Sequence, residues 1–412
     1  MTPPMIERPL YINQIRPLIN KDIVKVLVGF RRAGKSILLN LIKDELLKTG
    51  VSQEQFISIN FEDFSFYELR EAKKLHDYLK EQISAKRTNF PNEKIYLFLD
   101  EIQEVTGFEQ VINSIRVSEN VDIYITGSNA NLLSGELATY LAGRYIQIFV
   151  YPFGFQEYVT AYQQKNKSFS IAELFSKYLV EGGMPFLVSE QLPDYTQESY
   201  LKDIYNSVIL KDIIERNKIR DIELLERTVE YAFQNVGQIF SAHSISKYLK
   251  SQNRATKSDT LLNYIQFCRN ALLLYPLKRH DLKGKKVFQT NDKYYVIDHG
   301  LRQAMLHKNQ RDIQQILENI VAIEGLRRGY IATVGYVGDY EIDFVFEKGN
   351  SRLYVQVSYL LSTPETAERE FRSLLAITDN YRKIVVSMDP ILQPRDGIEH
   401  KTIADFLLED EW

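Results

Sequence analysis

The chain has 412 residues, of which 44% are hydrophobic, and a formal net charge of −3. At roughly 100–200 residues per domain, this length predicts two to four domains. The single cysteine, Cys268, excludes a disulfide framework and a cluster of thiolate metal ligands, and it favours a reducing compartment. The small net charge neither indicates nor excludes a nucleic-acid partner, because a basic face on one domain can be offset by acidic surface elsewhere.

The sequence contains no uninterrupted apolar run of about 18 residues, so it predicts no membrane-spanning helix. Residues 1–9 lack an apolar core of signal-peptide length. We therefore expect a soluble, cytoplasmic protein with no membrane partner.

The first chemically informative segment lies between a predicted strand, residues 23–28, and a predicted helix, residues 37–42. It fits the pattern G-x-x-x-x-G-K-[ST] and consists of Gly29, Phe30, Arg31, Arg32, Ala33, Gly34, Lys35 and Ser36. Such a loop cradles phosphates with backbone N–H groups at the positive end of a helix dipole. Lys35 would neutralise the β- and γ-phosphates, and Ser36 would complete a Mg²⁺ shell. A chance glycine turn is the alternative, and the flanking strand and helix argue against it.

Two further strands are predicted to end in acids. Residues 57–63 form one, and Glu62 at its end is expected to reach the same crevice. Residues 94–101 are nearly continuously apolar until Asp100 and Glu101, which is typical of a central parallel strand with both faces buried. We expect Asp100 to support Mg²⁺ and Glu101 to polarise the attacking water. The alternative is that the acid pair merely ends a core strand.

A strand over residues 121–129 ends in small polar residues. Ser128 and Asn129 both qualify as a γ-phosphate sensor or as a group that holds the lytic water, and simple capping of the strand end is the alternative. Strands that alternate with helices predict an α/β fold with a doubly wound parallel sheet. The nucleotide is then expected at the carboxyl ends of the strands.

Four segments in combination resemble the AAA+ ATPases: residues 29–36, Leu99–Gln103, Thr126–Asn129 and residues 133–145. More specifically, they resemble a prokaryotic subgroup with a C-terminal PD-(D/E)XK nuclease-like domain. The resemblance implies ATP and Mg²⁺ as ligands. It also makes Arg144 a candidate arginine finger, which would act on the nucleotide of a neighbouring subunit in a homo-oligomer. A structural arginine paired with Glu136 or with a carbonyl group is the alternative.

The middle of the chain is predicted to be mainly helical. Residues 156–220 fit the small helical lid that the AAA+ resemblance implies. Residues 241–300 predict two helices, 241–249 and 258–267, followed by a two-stranded wing formed by residues 272–279 and 287–297. This is the layout of a winged helix, whose second helix can enter a major groove.

Charge along the winged-helix-like segment is strongly positive. Between His243 and Lys286 there are ten basic residues and two acids, Asp259 and Asp281. The basic residues are Lys247, Lys250, Arg254, Lys257, Arg269, Lys278, Arg279, Lys283, Lys285 and Lys286. This excess predicts salt-dependent DNA binding through residues 241–300. A solvated basic surface and a docking module for an acidic partner are the alternatives.

The C-terminal region resembles PD-(D/E)XK nucleases in its order of a helix acid, Glu318, a strand-end acid, Asp343, and a following strand, residues 353–358. Active members hold Mg²⁺ with two acids and orient water with a lysine two residues after the second acid. Here Gln356 and Ser358 stand at those positions, and neither supplies the required charge. We therefore expect a vestigial, weak or inactive nuclease site.

Two alternatives remain open for this region. Glu324 could replace Glu318 as the helix acid. The whole region could also be an unrelated α/β cap.

The predicted organisation has four parts: an AAA+ nucleotide-binding domain (1–155), a helical lid (156–220), a winged-helix-like domain (221–304) and a nuclease-like α/β domain (305–412). The predicted function is Mg²⁺-dependent ATP binding and hydrolysis, coupled to engagement of DNA or another partner. One alternative is an ATP-gated signalling or scaffold protein with little hydrolysis. The other is an ATP-dependent DNA nuclease.

Overall fold

The structure, a computed structural model, describes residues 5–130, 140–141, 143–165, 168–190, 192–251, 257–282, 284, 286–287, 292–306 and 312–412. Its packing divides the chain into two compact units, the first ending at Tyr151 and the second beginning at Pro152. Several residues singled out above lie outside the described ranges: Glu136 with the rest of residues 133–138, and the basic residues Arg254, Lys283 and Lys285.

The first unit is a parallel sheet flanked by helices. Its helices are α1 (Pro9–Ile15), α2 (Lys35–Lys48), α3 (Ala72–Arg87) and α4 (Phe108–Ser118), and its strands are β1 (Val24–Gly29), β2 (Phe56–Asn60), β3 (Ile95–Asp100), β4 (Val121–Gly127) and β5 (Tyr145–Val150). The strand order is β2-β3-β4-β1-β5, and every neighbouring pair is parallel. The predicted α/β core with a parallel sheet is therefore confirmed.

Burial along the strands explains their sequence patterns. Strands β1, β3 and β4 are buried at every residue, whereas β2 and β5 at the two edges have exposed positions. A parallel strand covered on both faces needs apolar residues throughout, while an edge strand does not. Since β4 lies between β1 and β3, the carboxyl ends of these three strands meet at one edge of the sheet.

The second unit contains more helices. They are α5 (Phe155–Lys165), α6 (Ile171–Glu181), α7 (Pro185–Glu190), α8 (Asp194–Ser207), a π-helical segment (Val208–Glu215), α9 (Ile222–Gln234), α10 (Ala242–Ser251), α11 (Ser258–Asn270), α12 (His299–Met305), α13 (Ile313–Arg327), α14 (Pro364–Leu375) and α15 (Ile403–Leu408). The strands are β6 (Leu274–Asp281), β7 (Lys286–Val287), β8 (Lys293–Val296), β9 (Ile331–Val337), β10 (Tyr340–Lys348), β11 (Ser351–Val357), β12 (Arg382–Ser387) and β13 (Glu399–Thr402).

These strands form one sheet in the order β13-β12-β11-β10-β9-β6-β7, with β8 also paired to β6. Strand β6 joins two regions because its first half, Leu274–Leu277, pairs antiparallel with β8, and its second half, Lys278–Asp281, pairs parallel with β9. The predicted boundary between residues 304 and 305 therefore crosses a continuous sheet. Of the helices that the structure describes, none has both the length and the hydrophobicity needed to cross a bilayer.

Candidate functional site

The loop after β1 has the backbone geometry of an anion cradle. A Cβ atom on Gly29 would lie 2.3 Å from the carbonyl oxygen of Val150, so the approach of β5 excludes any larger residue there. Gly34 adopts a left-handed conformation (φ 94°) as the N-cap of α2, and no side chain caps this helix end. The first N–H groups of α2 are consequently left for an anionic ligand, with Ser36 exposed in the first turn.

Lys35 is buried beside this loop, with a relative exposure of only 4%. Its Nζ donates hydrogen bonds to the carbonyl oxygens of Gly29 (3.1 Å) and Phe30 (3.3 Å). The same Nζ lies 3.4 Å from Oε1 of Glu101. The loop thus presents a buried positive charge beside a carboxylate of the neighbouring strand end.

The end of β3 is held by a side chain of β4. Thr126 Oγ1 donates to Asp100 Oδ1 at 2.5 Å and accepts the backbone N–H of Glu101 at 2.9 Å. Glu101 has a positive φ of 53°, a conformation uncommon for a residue with a side chain. Because such strained positions persist only where the surroundings enforce them, the bond from the Glu101 N–H to Thr126 helps to hold this backbone conformation.

The carboxylate of Glu101 is buried among polar side chains, which include Gln103 and Ser128. Gln103 Nε2 donates to Glu101 Oε2 at 2.5 Å and lies 3.5 Å from Ser128 Oγ. Burial opposes ionisation of Glu101, but the positive charge of Lys35 and the hydrogen bond from Gln103 outweigh it and lower the pKa of this carboxyl. Glu101 is therefore charged near neutral pH.

The other residues predicted at this edge are Glu62, Ser128 and Asn129. Arg31 Nη1 lies 3.6 Å from Oε1 of Glu62, so Glu62 does reach the phosphate loop. Ser128 and Asn129 are both buried directly after β4. The structure thus gathers Lys35, Asp100, Glu101 and Ser128 around one edge of the sheet.

Arg144 lies directly before β5, at the amino ends of the strands and therefore opposite the phosphate loop. Its carbonyl oxygen accepts the N–H of Val24, the first residue of β1, at 3.0 Å. The phosphate loop begins at the other end of this strand, roughly 17 Å away at ~3.3 Å per residue. The Arg144 side chain is 58% exposed and pairs with Asp22 at 3.4 Å. This position excludes a contact between Arg144 and the phosphate loop of the same chain.

The second unit contains a separate cluster of buried polar residues around Asp343. Asp343 Oδ2 accepts the N–H of Val357 at 2.8 Å, and its own N–H donates to Gln356 Oε1 at 3.3 Å. Gln356 Nε2 in turn donates to Glu370 Oε2 at 2.9 Å. Gln356 therefore links the backbone of Asp343 to the carboxylate of Glu370. Ser358 is buried nearby, and its N–H donates to the carbonyl oxygen of Val386.

Glu318 and a lysine that the sequence did not single out complete this cluster. Lys293 Nζ donates to Glu341 Oε1 at 2.5 Å. Burial of Lys293 is outweighed by the charges of Asp343, Glu318 and Glu341, so its pKa is raised. Burial raises the pKa of Glu318 to about 6, and burial together with Glu318 raises that of Asp343 well above its usual range. One lysine does not balance these carboxyls.

Glu324 does not belong to the cluster around Asp343. It accepts bidentate hydrogen bonds from Arg327, both at 2.7 Å, and another from Arg328 at 2.6 Å. It is fully engaged in a buried ion-pair group and is not available as an alternative helix acid. In the ranges that the structure describes, no three His, Cys, Asp or Glu side chains are grouped so that they could hold a metal ion.

Several residues of these sites were not assigned a role from the sequence, among them Thr126, Gln103 and Lys293. The first two lie in strand-end segments already noted, Thr126–Asn129 and Leu99–Gln103, but their cross-strand bonds are not visible in a linear pattern. Lys293 comes from β8, 50 positions before Asp343, and no spacing rule connects them.

The strand order, the glycine loop at the start of α2 and the acids after β3 define the first unit as a phosphate-loop ATPase-like domain of mixed α/β fold. Comparison with known proteins agrees, since residues 21–159 match the AAA domain family and residues 172–312 match a domain of unknown function, DUF8612. The chain is 39% identical over 410 residues to an uncharacterized protein of Haemophilus influenzae strain Rd, covering 99% of this chain and 100% of that protein. It belongs to the same protein family.

Two more distant similarities extend this comparison. An uncharacterized protein of Methanocaldococcus jannaschii is 29% identical, covering 94% of this chain and 88% of its own length. The fold is similar to that of a Walker-type ATPase of Pyrococcus abyssi, with a TM-score of 0.50, 14% identity and coverage of 73% of this chain and 96% of that chain. The match to the AAA domain supports nucleotide binding and hydrolysis in the first unit, and the structural similarity shows the fold.

Proposed function

We propose that the protein binds ATP together with Mg²⁺ at residues 29–36, hydrolyses it with Glu101 as the water-activating base, and couples this cycle to DNA or another partner through its second unit. The observation that carries the proposal is the convergence of the open α2 end, the buried Lys35 and the ionised Glu101 on one edge of the sheet.

The residues of this edge fit a nucleotide triphosphate with its metal. Backbone N–H groups at the start of α2 would hold phosphate oxygens, and Lys35 would exchange its contact with Glu101 for the γ-phosphate. Ser36 and Asp100 would hold Mg²⁺, which needs few protein ligands because phosphates and waters complete its shell. The metal would neutralise charge on the phosphates. Glu101 would accept the proton of the attacking water.

The test is the turnover of ATP by the purified full-length chain with Mg²⁺ and with EDTA. Turnover that requires Mg²⁺ supports the proposal. Binding of ATP without turnover favours the nucleotide-gated scaffold, and absence of binding overturns both.

The position of Arg144 supports action across a subunit boundary. Its exposed pair with Asp22 is worth at most about 1 kcal/mol, so the arginine can leave it for a ligand at modest cost. We propose that Arg144 completes the site of a neighbouring copy in a homo-oligomer.

Mixing two inactive variants tests this role. Arg144→Ala retains the phosphate loop, and Lys35→Ala retains Arg144, so we expect a mixture of the two to recover part of the ATPase rate that each lacks alone. Because an exposed ion pair contributes little, Arg144→Ala should change the free energy of unfolding by less than about 1 kcal/mol. The control mixture pairs Arg144→Ala with the double variant that carries both changes; a recovery there, or full activity of Arg144→Ala alone, contradicts the proposal.

A winged-helix-like arrangement in the second unit is the basis for proposing DNA as a partner. Helix α11 packs against α9 and α10 and precedes the β6–β8 pair. Its exposed face carries Asn263 and Gln266, residue types that can read base edges, and Lys257 is exposed at its start. Gln266 donates to Asn270, and Arg279 donates to the hydroxyl of Tyr336. The exposed lysines around α10 and α11 are therefore the better candidates for phosphate contacts.

Affinity for duplex DNA is expected to fall steeply with salt. Each lost phosphate contact reduces the slope of log K against log[salt] by about 1, so Lys247→Ala/Lys257→Ala should reduce it by about 2. Anisotropy titrations at several salt concentrations measure the slope. The matched control, Lys48→Ala/Lys73→Ala, removes the same charge from the first unit; an equal effect there, or a wild-type affinity that ignores salt, contradicts specific binding by this segment.

We also propose that α13, β9 to β11, α14 and β12 form a nuclease-like core that is weak or inactive in cleavage. Gln356 is neutral, and it is bonded to Glu370 rather than left open toward a ligand. Ser358 supplies no charge. These features support a role of this core in binding rather than in cutting.

A further inference from the structure

Gln103 connects the candidate base to the end of the neighbouring strand. It lies in the 3₁₀ turn Ile102–Glu104, directly after the acid pair. An ionised carboxylate accepts hydrogen bonds only, so the amide group that faces Glu101 must present its NH₂. That NH₂ donates to Glu101 Oε2 at 2.5 Å and lies at the limit of hydrogen bonding, 3.5 Å, from Ser128 Oγ.

This orientation leaves the other end of the amide unsatisfied. Within the described part of the chain, Gln103 Oε1 is buried and has no hydrogen-bond partner. A buried unpaired polar atom costs about 1–3 kcal/mol. Such groups are uncommon in folded proteins. The orientation of the Gln103 amide toward Glu101 therefore indicates a functional role for this contact.

The two oxygens of Glu101 have different partners. Oε1 faces Lys35 at 3.4 Å, and Oε2 accepts from Gln103. If Lys35 turns to a γ-phosphate, as the proposed function requires, Gln103 still donates to this carboxylate. We propose that Gln103 is a positioning residue, which holds Glu101 in the orientation needed for water activation and connects it to Ser128, directly after β4. This inference rests on the proposed ATPase function.

The test is Gln103→Met, which keeps the length of the side chain and removes its hydrogen bonds. We expect kcat for ATP to fall about 100-fold, because small misplacements of a reacting group have effects of this size. The KM and the Kd for ATP should stay within about threefold of wild type, since Gln103 does not contact the phosphate loop. In a Glu101→Gln background, Gln103→Met should cause no further loss in the single-turnover rate, because it acts through Glu101.

Gln110→Met is the matched control, since Gln110 is exposed on α4 and bonds to the hydroxyl of Tyr140. Should Gln103→Met fold poorly, Gln103→Asn keeps an amide that is one methylene too short to reach Glu101, and the same fall in kcat is expected. A wild-type kcat in the folded variant, or a parallel loss of ATP binding, overturns the inference. Failure of the proposed function would show differently, as a wild-type chain without turnover or a Glu101→Gln variant with the wild-type rate.

Discussion

Lys35→Ala is expected to abolish both tight ATP binding and turnover, whereas Glu101→Gln is expected to abolish turnover alone. Lys35 is the buried cation of the phosphate loop, and a lost charge-assisted contact of about 1.5–3 kcal/mol weakens binding about 10- to 100-fold. Glu101→Gln keeps the shape of the side chain but replaces one acceptor oxygen with an NH₂ group and removes the proton acceptor, which lowers kcat by at least about 100-fold. Equilibrium binding of a fluorescent ATP analogue and phosphate release separate the two effects.

Lys48→Ala is the control for the change of charge on α2. Lys48 lies exposed in the last turn of this helix, remote from its N-terminal end, and its removal should leave binding and turnover at wild-type values. Turnover by Glu101→Gln at the wild-type rate would remove Glu101 from the chemistry. Normal binding by Lys35→Ala would place the nucleotide elsewhere in the molecule.

Much of the first unit could be predicted because its signals are local. The loop of residues 29–36 carries its own backbone requirements, which Gly29 and Gly34 meet, and β1 and β3 are apolar throughout because both faces are covered. The position of acids after a buried strand also follows from a continuous pattern. The roles of individual site residues, including Asp100 and Ser128, stay predictions.

The strand order could not be derived in the same way. Insertion of β4 between β1 and β3 depends on pairing between residues far apart in the chain, such as Leu27 with Thr126 and Leu99 with Ile125. That insertion brings Thr126 to Asp100 and Ser128 to Gln103. The parallel pairing of β5 with β1 places Arg144 at the amino ends of the strands.

The second unit shows why boundaries between domains are harder to predict. Strand β6 is long enough to pair with β8 through its first half and with β9 through its second half. A pattern of residue types reveals that a strand is present but not which two partners it takes. For the same reason the approach of Lys293 to the acids around Asp343 could not be anticipated.

A buried ion pair at the amino edge of the first sheet is expected to be a major contributor to stability. Lys25 on β1 and Asp122 on β4 are both fully buried and hydrogen-bonded to each other. Asp122 Oδ2 also accepts from the N–H of Asn20 at 2.9 Å and from the hydroxyl of Tyr124 at 3.0 Å. Burial lowers the pKa of Lys25, although Asp122 opposes this shift. The buried strand β1 tolerates a lysine because the carboxylate of Asp122 neutralises its charge.

Asp122→Asn should therefore lower the free energy of unfolding by about 3–5 kcal/mol, since it leaves the charge of Lys25 buried without a counter-ion. Urea unfolding followed by circular dichroism gives the overall loss, and hydrogen exchange of peptides from β1 and β4 locates it in the first unit. Lys25→Met/Asp122→Leu removes both charges and should recover much of the stability, because a pair of apolar side chains has no such desolvation penalty. A stability of Asp122→Asn within about 1 kcal/mol of wild type would mean that Lys25 is neutral or solvated in the folded chain, and the compensation argument would then fail.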